Sequence, residues 1–403
     1  MQIRDFFRGG AGLFFAVNAL AGAGFCTGII GASWFIINAT GQNEILGKYW
    51  AVALISSFIT LVSAGGLIDK YNKITIIQVC CAGQAFLFFL TAGLYAAGTA
   101  HIYIIYGLAL LNMPLTAVFG AAARGAVPTV LGRDRLHHGN SIIEITAQAG
   151  AMIAALLTGL LYRAFGFGVL IFTGALLLAG AAILLAFAKN IFTREEPSKD
   201  TFLQSFFKGL IYLKARKTLL LYGAAVFTPS IVIVVLNTVI PGYVEQHLGK
   251  DSIVFGIGDM LFSAGAMLAG FITAGIFRGK NRFFMQAVFF TGAVFSLISF
   301  GAVQSAAWFY AAVFVNGALL AGLRVILNTT LMEAVSQRYL GRCLALLTAL
   351  SLVLQAALAY ITGTLMDSLG AVYGYYALAL VAAAGFLLFL SSKSAAQAAA
   401  KSA

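Results

Sequence analysis

The stretch Ser63-Ala64-Gly65-Gly66-Leu67-Ile68-Asp69-Lys70-Tyr71-Asn72-Lys73 places a short charged turn between two long apolar segments. One apolar segment, residues 49–68, ends at Asp69, and the next begins at Ile74. The small residues before the turn allow a neighbouring backbone to approach closely. The acid can accept hydrogen bonds from a helix N-terminus, and the lysines favour the cytoplasmic side of a membrane. The pattern predicts a cytoplasmic hinge between two membrane helices; a turn that only orients the helices is the alternative interpretation.

The composition of the whole chain agrees with a membrane location. Of 403 residues, 61% are hydrophobic and only 9% are charged, whereas soluble domains carry about 25% charged residues. The apolar segments continue for about 20 residues, the length of a membrane helix, where a barrel strand alternates over about 10. The chain is therefore predicted to be an all-α protein that crosses the membrane many times.

Charge and cysteine content argue against several other classes. The net charge is +12, but the basic residues lie in short loops between apolar segments, so no basic face is available for nucleic acid. All four cysteines lie in apolar segments without metal-ligand spacing, and we expect neither a metal nor a cofactor. No nucleotide-binding motif of the Gly-x4-Gly-Lys-Ser/Thr type occurs, so we do not expect ATP to be the energy source.

Breaks at charges, prolines and polar clusters predict twelve membrane spans. They cover residues 10–38, 45–68, 74–97, 101–123, 141–162, 166–188, 218–241, 253–277, 283–303, 306–330, 343–366 and 371–391. The longest polar interval divides them six and six. We predict an N-terminal bundle at 1–188, a cytoplasmic linker with an amphipathic helix at 189–217, a C-terminal bundle at 218–391 and a cytoplasmic tail at 392–403.

Lys and Arg are distributed unequally between the two sides of these spans. Only Lys48, Arg163 and Lys250 fall on the outer side, and Arg324 lies within a span. Because basic residues are retained in the cytoplasm, both termini are predicted to lie there. The expected location is the inner cell membrane, as a multi-pass protein.

The two halves of the sequence repeat each other. Residues 158–166, which begin Thr-Gly, recur as residues 362–370 at an offset of 204. Around the hinge, Gly66 has a counterpart in Gly275 at an offset of 209. Two offsets close to half the chain length indicate a duplicated six-helix unit.

The hinge resembles the loop signature of the major facilitator superfamily, Gly-x-x-x-Asp-Arg-x-Gly-Arg-Arg. Gly65 and Asp69 occupy the Gly and Asp positions. The other signature positions hold Lys70, Asn72, Lys73 and Ile74. The resemblance implies the major facilitator fold, in which twelve helices form two pseudo-symmetric six-helix bundles.

The chain also resembles the branch of drug:proton antiporters that contains macrolide efflux proteins and the enterobactin exporter. The matching positions are Pro128, Leu136, Asn140, 208–213, Pro241, 248–249 and 341–342. This resemblance implies proton-driven export of a small amphipathic organic molecule; an anionic siderophore or metallophore is the alternative substrate. The Gly-Pro pair common in the fifth span of that branch is absent from 153–159, which bears on the direction of transport and on ion coupling.

In the fold that the resemblance implies, the first, fourth, seventh and tenth spans lie nearest the central cavity. Their polar and aromatic residues are candidates for substrate binding: Asn18, Trp34, Asn112, Asn237 and Asn316. Arg324 could hold the carboxylate or catecholate of an anionic substrate. The alternatives are interhelical hydrogen bonds for the asparagines, and a salt bridge to Glu333 or Glu144 for Arg324.

Ionisable residues within spans are candidates for proton coupling, because a charge at the bilayer centre costs about 2.5–3.5 kcal/mol unless it is paired or hydrated. Asp259 lies about two turns from the outer end of the eighth span, and Glu144 lies in the first turn of the fifth. The alternative interpretation of Asp259 is a residue that lies in a solvated outer vestibule. For Glu144 the alternative is interaction with the helix dipole and nearby cations.

The resemblance further implies a cytoplasmic gate, in which the hinge acid Asp69 meets Arg124 and the start of the eleventh span at Arg342. We place Glu333 in the same gate.

An intramembrane enzyme would need a cluster of catalytic residues at membrane depth, but the four histidines lie at predicted span ends, so we expect no enzyme activity. A non-transporting receptor is the remaining alternative. The sequence contains no sizeable soluble domain, which argues against it. The expected partners are a small-molecule substrate, protons and membrane lipids, with the protein as a monomer.

Overall fold

The computed structural model describes residues 10–99, 101–131, 136–188, 217–276, 282–302, 304–335 and 337–392. These residues form long helices joined by short turns. The helices are α1 (Ala11–Thr40), α2 (Asn43–Lys70), α3 (Lys73–Ala96), α4 (Ile102–Leu131), α5 (Leu136–Ala188), α6 (Lys217–Gly242), α7 (Ser252–Ile276), α8 (Arg282–Ser299), α9 (Ala306–Ala334), α10 (Gln337–Leu369) and α11 (Val372–Ser391). A single π-helical turn, Tyr243–His247, follows α6.

Eleven helices in the described part of the chain are long and apolar enough to cross a membrane. One of them, in α5, has an apolar stretch of 46 residues, more than twice the roughly 20 residues that one crossing needs. Its backbone leaves the helical conformation at Gly166, where φ is 78° and ψ is −176°. Because this conformation is open to glycine and strained for other residues, Gly166 separates two crossings. The predicted all-α membrane fold is confirmed, and the two crossings of α5 agree with the predicted spans at 141–162 and 166–188.

The hinge between α2 and α3 is short. Helix α2 continues to Lys70, and α3 begins at Lys73. Asn72 caps α3, because its Oδ1 accepts hydrogen bonds from the backbone N–H groups of Ile74 and Thr75, at 2.9 and 3.4 Å. The Asp69 side chain, the amphipathic linker predicted at 189–217 (except Lys217) and the tail beyond Ser392 lie outside the described residues.

The chain divides into two compact units. The first contains the described residues within Met1–Ile36, Ser56–Asp200 and Asp251–Met260. Its core joins Phe14 and Phe15 of α1 with Cys81 of α3, Phe119 of α4 and Leu185 of α5. The first turns of α7 thus belong to the same unit as α1 and α5.

The second unit contains the described residues within Ile37–Ile55, Thr201–Lys250 and Leu261–Ala403. Its core includes Tyr222 of α6, Phe290 of α8, Leu327 of α9, Leu347 of α10 and Phe389 of α11. The first turns of α2 belong to this unit, together with α6 and α8–α11. Each unit therefore includes the beginning of a helix from the other half of the sequence.

Candidate substrate and proton site

In the first unit, α1 and α7 meet through an aromatic stack. The indole of Trp34 lies on the ring of Phe255, with centroids 5.2 Å apart and an interplanar angle of 18°. Both side chains are buried. The stack fixes the face that the start of α7 turns toward α1, since a buried aromatic pair adds about 0.5–1.5 kcal/mol beyond the area it removes from solvent.

An adjacent face of the first turns of α7 packs against α5. A Cβ placed on Gly256 would lie 2.5 Å from the carbonyl oxygen of Ala155 and 2.8 Å from Cα of Gly159. The hydroxyl of Ser252 donates to the carbonyl of Gly159 at 3.1 Å. Only glycine at position 256 allows the two backbones to approach this closely. The start of α7 is therefore held between α5 and the aromatic stack, which leaves little rotational freedom for the residues that follow.

Asp259 follows Phe255 by one helical turn, so it lies on the same side of α7. It is partly buried, and no hydrogen bond or ion pair to it occurs within the described residues. Asp259 lies seven residues from the start of α7 at Ser252, or about 10 Å along the axis. A carboxylate at that depth without a partner among the described residues is available to a proton, to water or to a cationic ligand.

The other candidates in the first unit occupy different surroundings. Asn18 is buried, and its Nδ2 donates to the carbonyl of Ile143 at 3.2 Å and to the hydroxyl of Thr146 at 2.7 Å. Asn112 is buried, and its Oδ1 has no hydrogen-bond partner within the described residues. Glu144 is exposed on α5. The structure thus brings Trp34 together with Phe255 and Asp259, while Asn18 connects α1 to α5.

In the second unit, Asn316 is the least satisfied candidate. It is 1% exposed, and neither of its side-chain polar atoms has a partner among the described residues. Asn237 donates to carbonyls of its own helix, Ile233 at 3.2 Å and Val234 at 3.0 Å. Arg324 is partly buried in α9 and interacts with other residues. An unpaired buried amide costs about 1–3 kcal/mol, which makes Asn316 a position where a ligand or water would be stabilised.

The described residues hold only part of the predicted cytoplasmic gate. Glu333 forms an ion pair with Arg282, and Arg124 is exposed on α4, seven residues before that helix ends at Leu131. The side chains of Asp69 and Arg342 lie outside the described residues. The sequence analysis did not predict Arg282 as the partner of Glu333.

Sequence reasoning also missed a pair of close helix contacts, one in each unit. In the second unit, the carboxylate of Asp367 accepts from the backbone N–H groups of Asn43 and Glu44 and from Nδ2 of Asn43, each at 2.8 Å. A Cβ on Gly47 of α2 would lie 2.5 Å from the carbonyl oxygen of Ala359 in α10. The start of α2 is therefore packed on the end of α10.

This α2–α10 contact matches the α7–α5 contact of the first unit, in which Arg163 pairs with Asp251 at 2.6 Å. The offset of 204 relates Gly159 to Gly363 and Arg163 to Asp367, and the offset of 209 relates Gly47 to Gly256. These repeats were visible in the sequence. They identify equivalent positions but do not show that the two sets touch.

Among the described residues, no group of three or more His, Cys, Asp or Glu is arranged to hold a metal ion. The possible ligand-binding features are instead single polar groups within apolar helices. With eleven membrane-capable helices, one of them a double crossing, they define a polytopic helical membrane protein whose site has the features of a transporter.

Comparison with known proteins identifies the family. The family model described as Major Facilitator Superfamily matches residues 13–352, so the chain belongs to that superfamily and is a secondary transporter and not an enzyme. The fold is similar to that of a variant of the nucleoside transporter NupG, with a TM-score of 0.69 and 12% identity over 95% of this chain and 99% of that one. It is also similar to a bacterial homolog of the human lysosomal transporter Spinster in an inward-facing and occupied conformation, with a TM-score of 0.67 and 12% identity over 96% of each chain. No curated protein matches the sequence significantly.

Proposed function

We propose that the protein exports a small amphipathic organic molecule in exchange for protons. Transport would occur by alternating access between the bundles at 1–188 and 218–391, connected by the linker at 189–217 and followed by the tail at 392–403. Both termini would lie in the cytoplasm, with the protein in the inner membrane. The observation that carries this proposal is Asp259, a carboxylate in a membrane helix without a described protein partner.

Asp259 suits a proton carrier because its charge is poorly compensated. Neither α1 nor α7 contains a Lys, Arg or His, and no ion pair to Asp259 occurs within the described residues, so water, a proton or a ligand could neutralise the carboxylate. When the surroundings of Asp259 are dry, the protonated form is favoured. When they are open to water, the proton can leave. A change in access during transport would therefore change its protonation, and we prefer Asp259 over the exposed Glu144 as the coupling residue.

As substrate contacts we propose Trp34 and Asn112 in the first unit and Asn316 in the second. Asn112 and Asn316 are buried and have side-chain atoms without described partners, which a polar substrate could satisfy. Asn18 and Asn237 already donate to protein groups, and for them we propose a role in holding helix conformation.

We retain the cytoplasmic gate as a proposal. Asp69, Arg124, Glu333 and Arg342 would close the cytoplasmic side. The contacts of α7 with α5 and of α2 with α10 would close the outer side. Contacts that form in one state and break in the other set the balance between the two states.

Export of an anionic siderophore or metallophore is the second candidate. Its supporting observation is Arg324, a cation that is partly buried within the membrane helix α9. Arg324 interacts with other residues of the protein, so an anion would have to compete with that contact.

Proteoliposomes with an imposed proton gradient test the proposal. Addition of ethidium, a macrolide or a catecholate siderophore should release protons from the lumen, followed with a pH-sensitive dye. Asp259→Asn should abolish substrate-driven proton release, whereas Glu144→Gln should retain it. Proton release that persists in Asp259→Asn, in protein that elutes as a single species, would refute the role of Asp259.

A further inference from the structure

We infer that a groove between α3 and the second crossing of α5 binds an acyl chain of a membrane phospholipid. The groove lies entirely within the first unit and has a volume of about 460 Å³. Pockets that hold small organic ligands have volumes of about 300–1,000 Å³, so the groove has room for a lipid chain. The inference does not depend on which substrate the protein transports.

The walls of the groove consist of aromatic rings and small residues. Phe89 of α3 and Phe172 of α5 meet edge to face, with ring centroids 5.5 Å apart and an interplanar angle of 69°. Next to them, α3 contributes only small residues, Ala92, Gly93 and Ala96. The small residues make the groove deep, and the rings give it apolar sides.

Tyr95 is held in place at one end of the groove. Its ring lies edge-on to Phe35 and to Phe167, with centroids 6.2 and 5.9 Å away. A Cβ placed on Gly168 would lie 2.6 Å from Cδ1 of Tyr95, so the ring rests directly on the backbone of α5. The hydroxyl of Tyr95 is the one polar side-chain group among the lining residues. The groove is therefore built by fixed side chains of the packed unit.

The bilayer covers this side of the unit. Helices α3 and α5 are both long and apolar enough to cross a membrane, and the lining residues Phe165, Val169 and Phe172 are exposed. Phe89 lies seven residues before the end of α3 at Ala96, or about 10 Å along the axis. Exposed apolar side chains at this position in a membrane helix face hydrocarbon. The groove is thus continuous with the lipid-facing surface, and in the proposed orientation it opens to the outer leaflet.

Packing gives the groove its affinity for a chain. Lipid tails are as apolar as the groove, so binding gains nothing from the removal of apolar surface from water. A chain in the groove instead gains dispersion contacts with walls that are fixed and densely packed. Arg163, two residues before Phe165, is already paired with Asp251 at 2.6 Å. We therefore expect the groove to recognise the chain and not the headgroup.

The equivalent place in the second unit, between α8 and α11, is filled by protein. The offset of 204 relates Gly168 to Val372 and Phe172 to Tyr376. A Cβ placed on Gly301, just after α8, would lie 3.1 Å from Cγ1 of Val372 and would also meet the hydroxyl of Tyr376. These two side chains occupy the space that stays open in the first unit. The duplicated fold therefore does not itself require a groove.

Native mass spectrometry of the full-length protein tests the inference. The protein is released from nanodiscs of palmitoyl-oleoyl phosphatidylethanolamine and phosphatidylglycerol in equal parts, and the retained lipids are counted as the collision energy is raised. We expect a single phospholipid to stay bound after the others have left, with either headgroup. Loss of all lipids together, or retention of one headgroup alone, would overturn the inference.

Leucine at position 93 should block the groove. A Cβ on Gly93 meets nothing within 4 Å, so the new side chain enters the groove without displacing protein atoms. Gly93→Leu should lower the fraction of protein that retains the lipid about fivefold. Gly107→Leu is the matched control, because Gly107 lies on α4 of the same unit, a Cβ there also meets nothing within 4 Å, and it does not line the groove. Equal retention in the two variants would overturn the inference.

A second pair of variants removes a wall instead of filling the groove. Phe172→Ala should lower lipid retention, because the chain loses contacts with the ring. Phe86→Ala is its control, since Phe86 is exposed on α3 and does not line the groove; its retention should equal that of the parent. A lipid that remains bound in both Gly93→Leu and Phe172→Ala would lie elsewhere on the protein, and the inference would be wrong.

Discussion

Substitution of Gly256 by alanine is expected to loosen the contact between α7 and α5. The new Cβ would lie 2.5 Å from the carbonyl oxygen of Ala155 and 2.8 Å from Cα of Gly159. Both atoms belong to backbone, which cannot rotate away as a side chain can. The helices must separate by several tenths of an ångström, and such overpacking costs about 1–3 kcal/mol. An energy of that size changes a two-state population by roughly 5–150-fold.

Cysteine labelling measures this change. Ser252, which is buried and donates to Gly159, is replaced by cysteine in a Cys26→Ala background; the other three cysteines are buried. A maleimide is applied to the detergent-solubilised protein, so that membrane sidedness does not matter. Gly256→Ala should increase the labelling rate at position 252 by a factor within the range given above.

Gly270→Ala is the matched control, because it lies on the same helix and a Cβ there meets nothing within 4 Å. Its labelling rate should equal that of the parent. If Gly256→Ala labels at the parent rate while remaining monodisperse, the close α7–α5 contact does not govern access to Ser252. If Gly270→Ala also labels faster, the effect is a general loosening of α7.

Two further pairs of variants test individual contacts. Asp367→Ala should lower the melting temperature more than Arg163→Gln, because Asp367 accepts three hydrogen bonds at 2.8 Å. The Arg163–Asp251 pair is 60% and 46% exposed and contributes about 0–1 kcal/mol. Equal shifts in a thermal unfolding assay would contradict this ranking. Asn18→Leu should destabilise the protein by about 1–3 kcal/mol because it removes interhelical hydrogen bonds, whereas Asn316→Leu should leave stability unchanged or raised and reduce substrate transport. Normal transport by Asn316→Leu would show that its unpaired amide does not serve the substrate.

The membrane spans could be predicted from the sequence because bilayer thickness sets their length. The predicted start of the fifth span at 141 misses only the first turn of α5, and the break after 162 lies near the observed one at Gly166. The predicted end of the second span, at residue 68, lies two residues before the end of α2, which continues through Asp69 to Lys70. Charged residues can extend a membrane helix beyond the hydrocarbon region, where hydropathy no longer marks its end.

The neighbours of Asp259 could not be predicted in the same way. Its charge within an apolar segment was visible, but the stack of Trp34 on Phe255 depends on how α1 and α7 are rotated about their axes. These helices are apolar on most sides, so hydrophobic periodicity does not fix the rotation. The glycine contacts with α5 fix it in the structure, and their partners are about 100 residues apart in the sequence.

The duplication makes the difference between the two halves informative. The offset of 209 that relates Gly47 to Gly256 also relates Trp50 to Asp259. Trp50 is buried in the second unit, with its ring edge-on to Tyr49 at 6.0 Å. The close helix contact is thus present in both units, while the carboxylate is present in one. A helix contact that occurs in both halves is expected if it serves a movement that the two halves share. A carboxylate in only one of the two equivalent positions is expected if each transport cycle carries one proton or one cation. Coupling of two protons per cycle would therefore require a second acid outside this pair of equivalent positions.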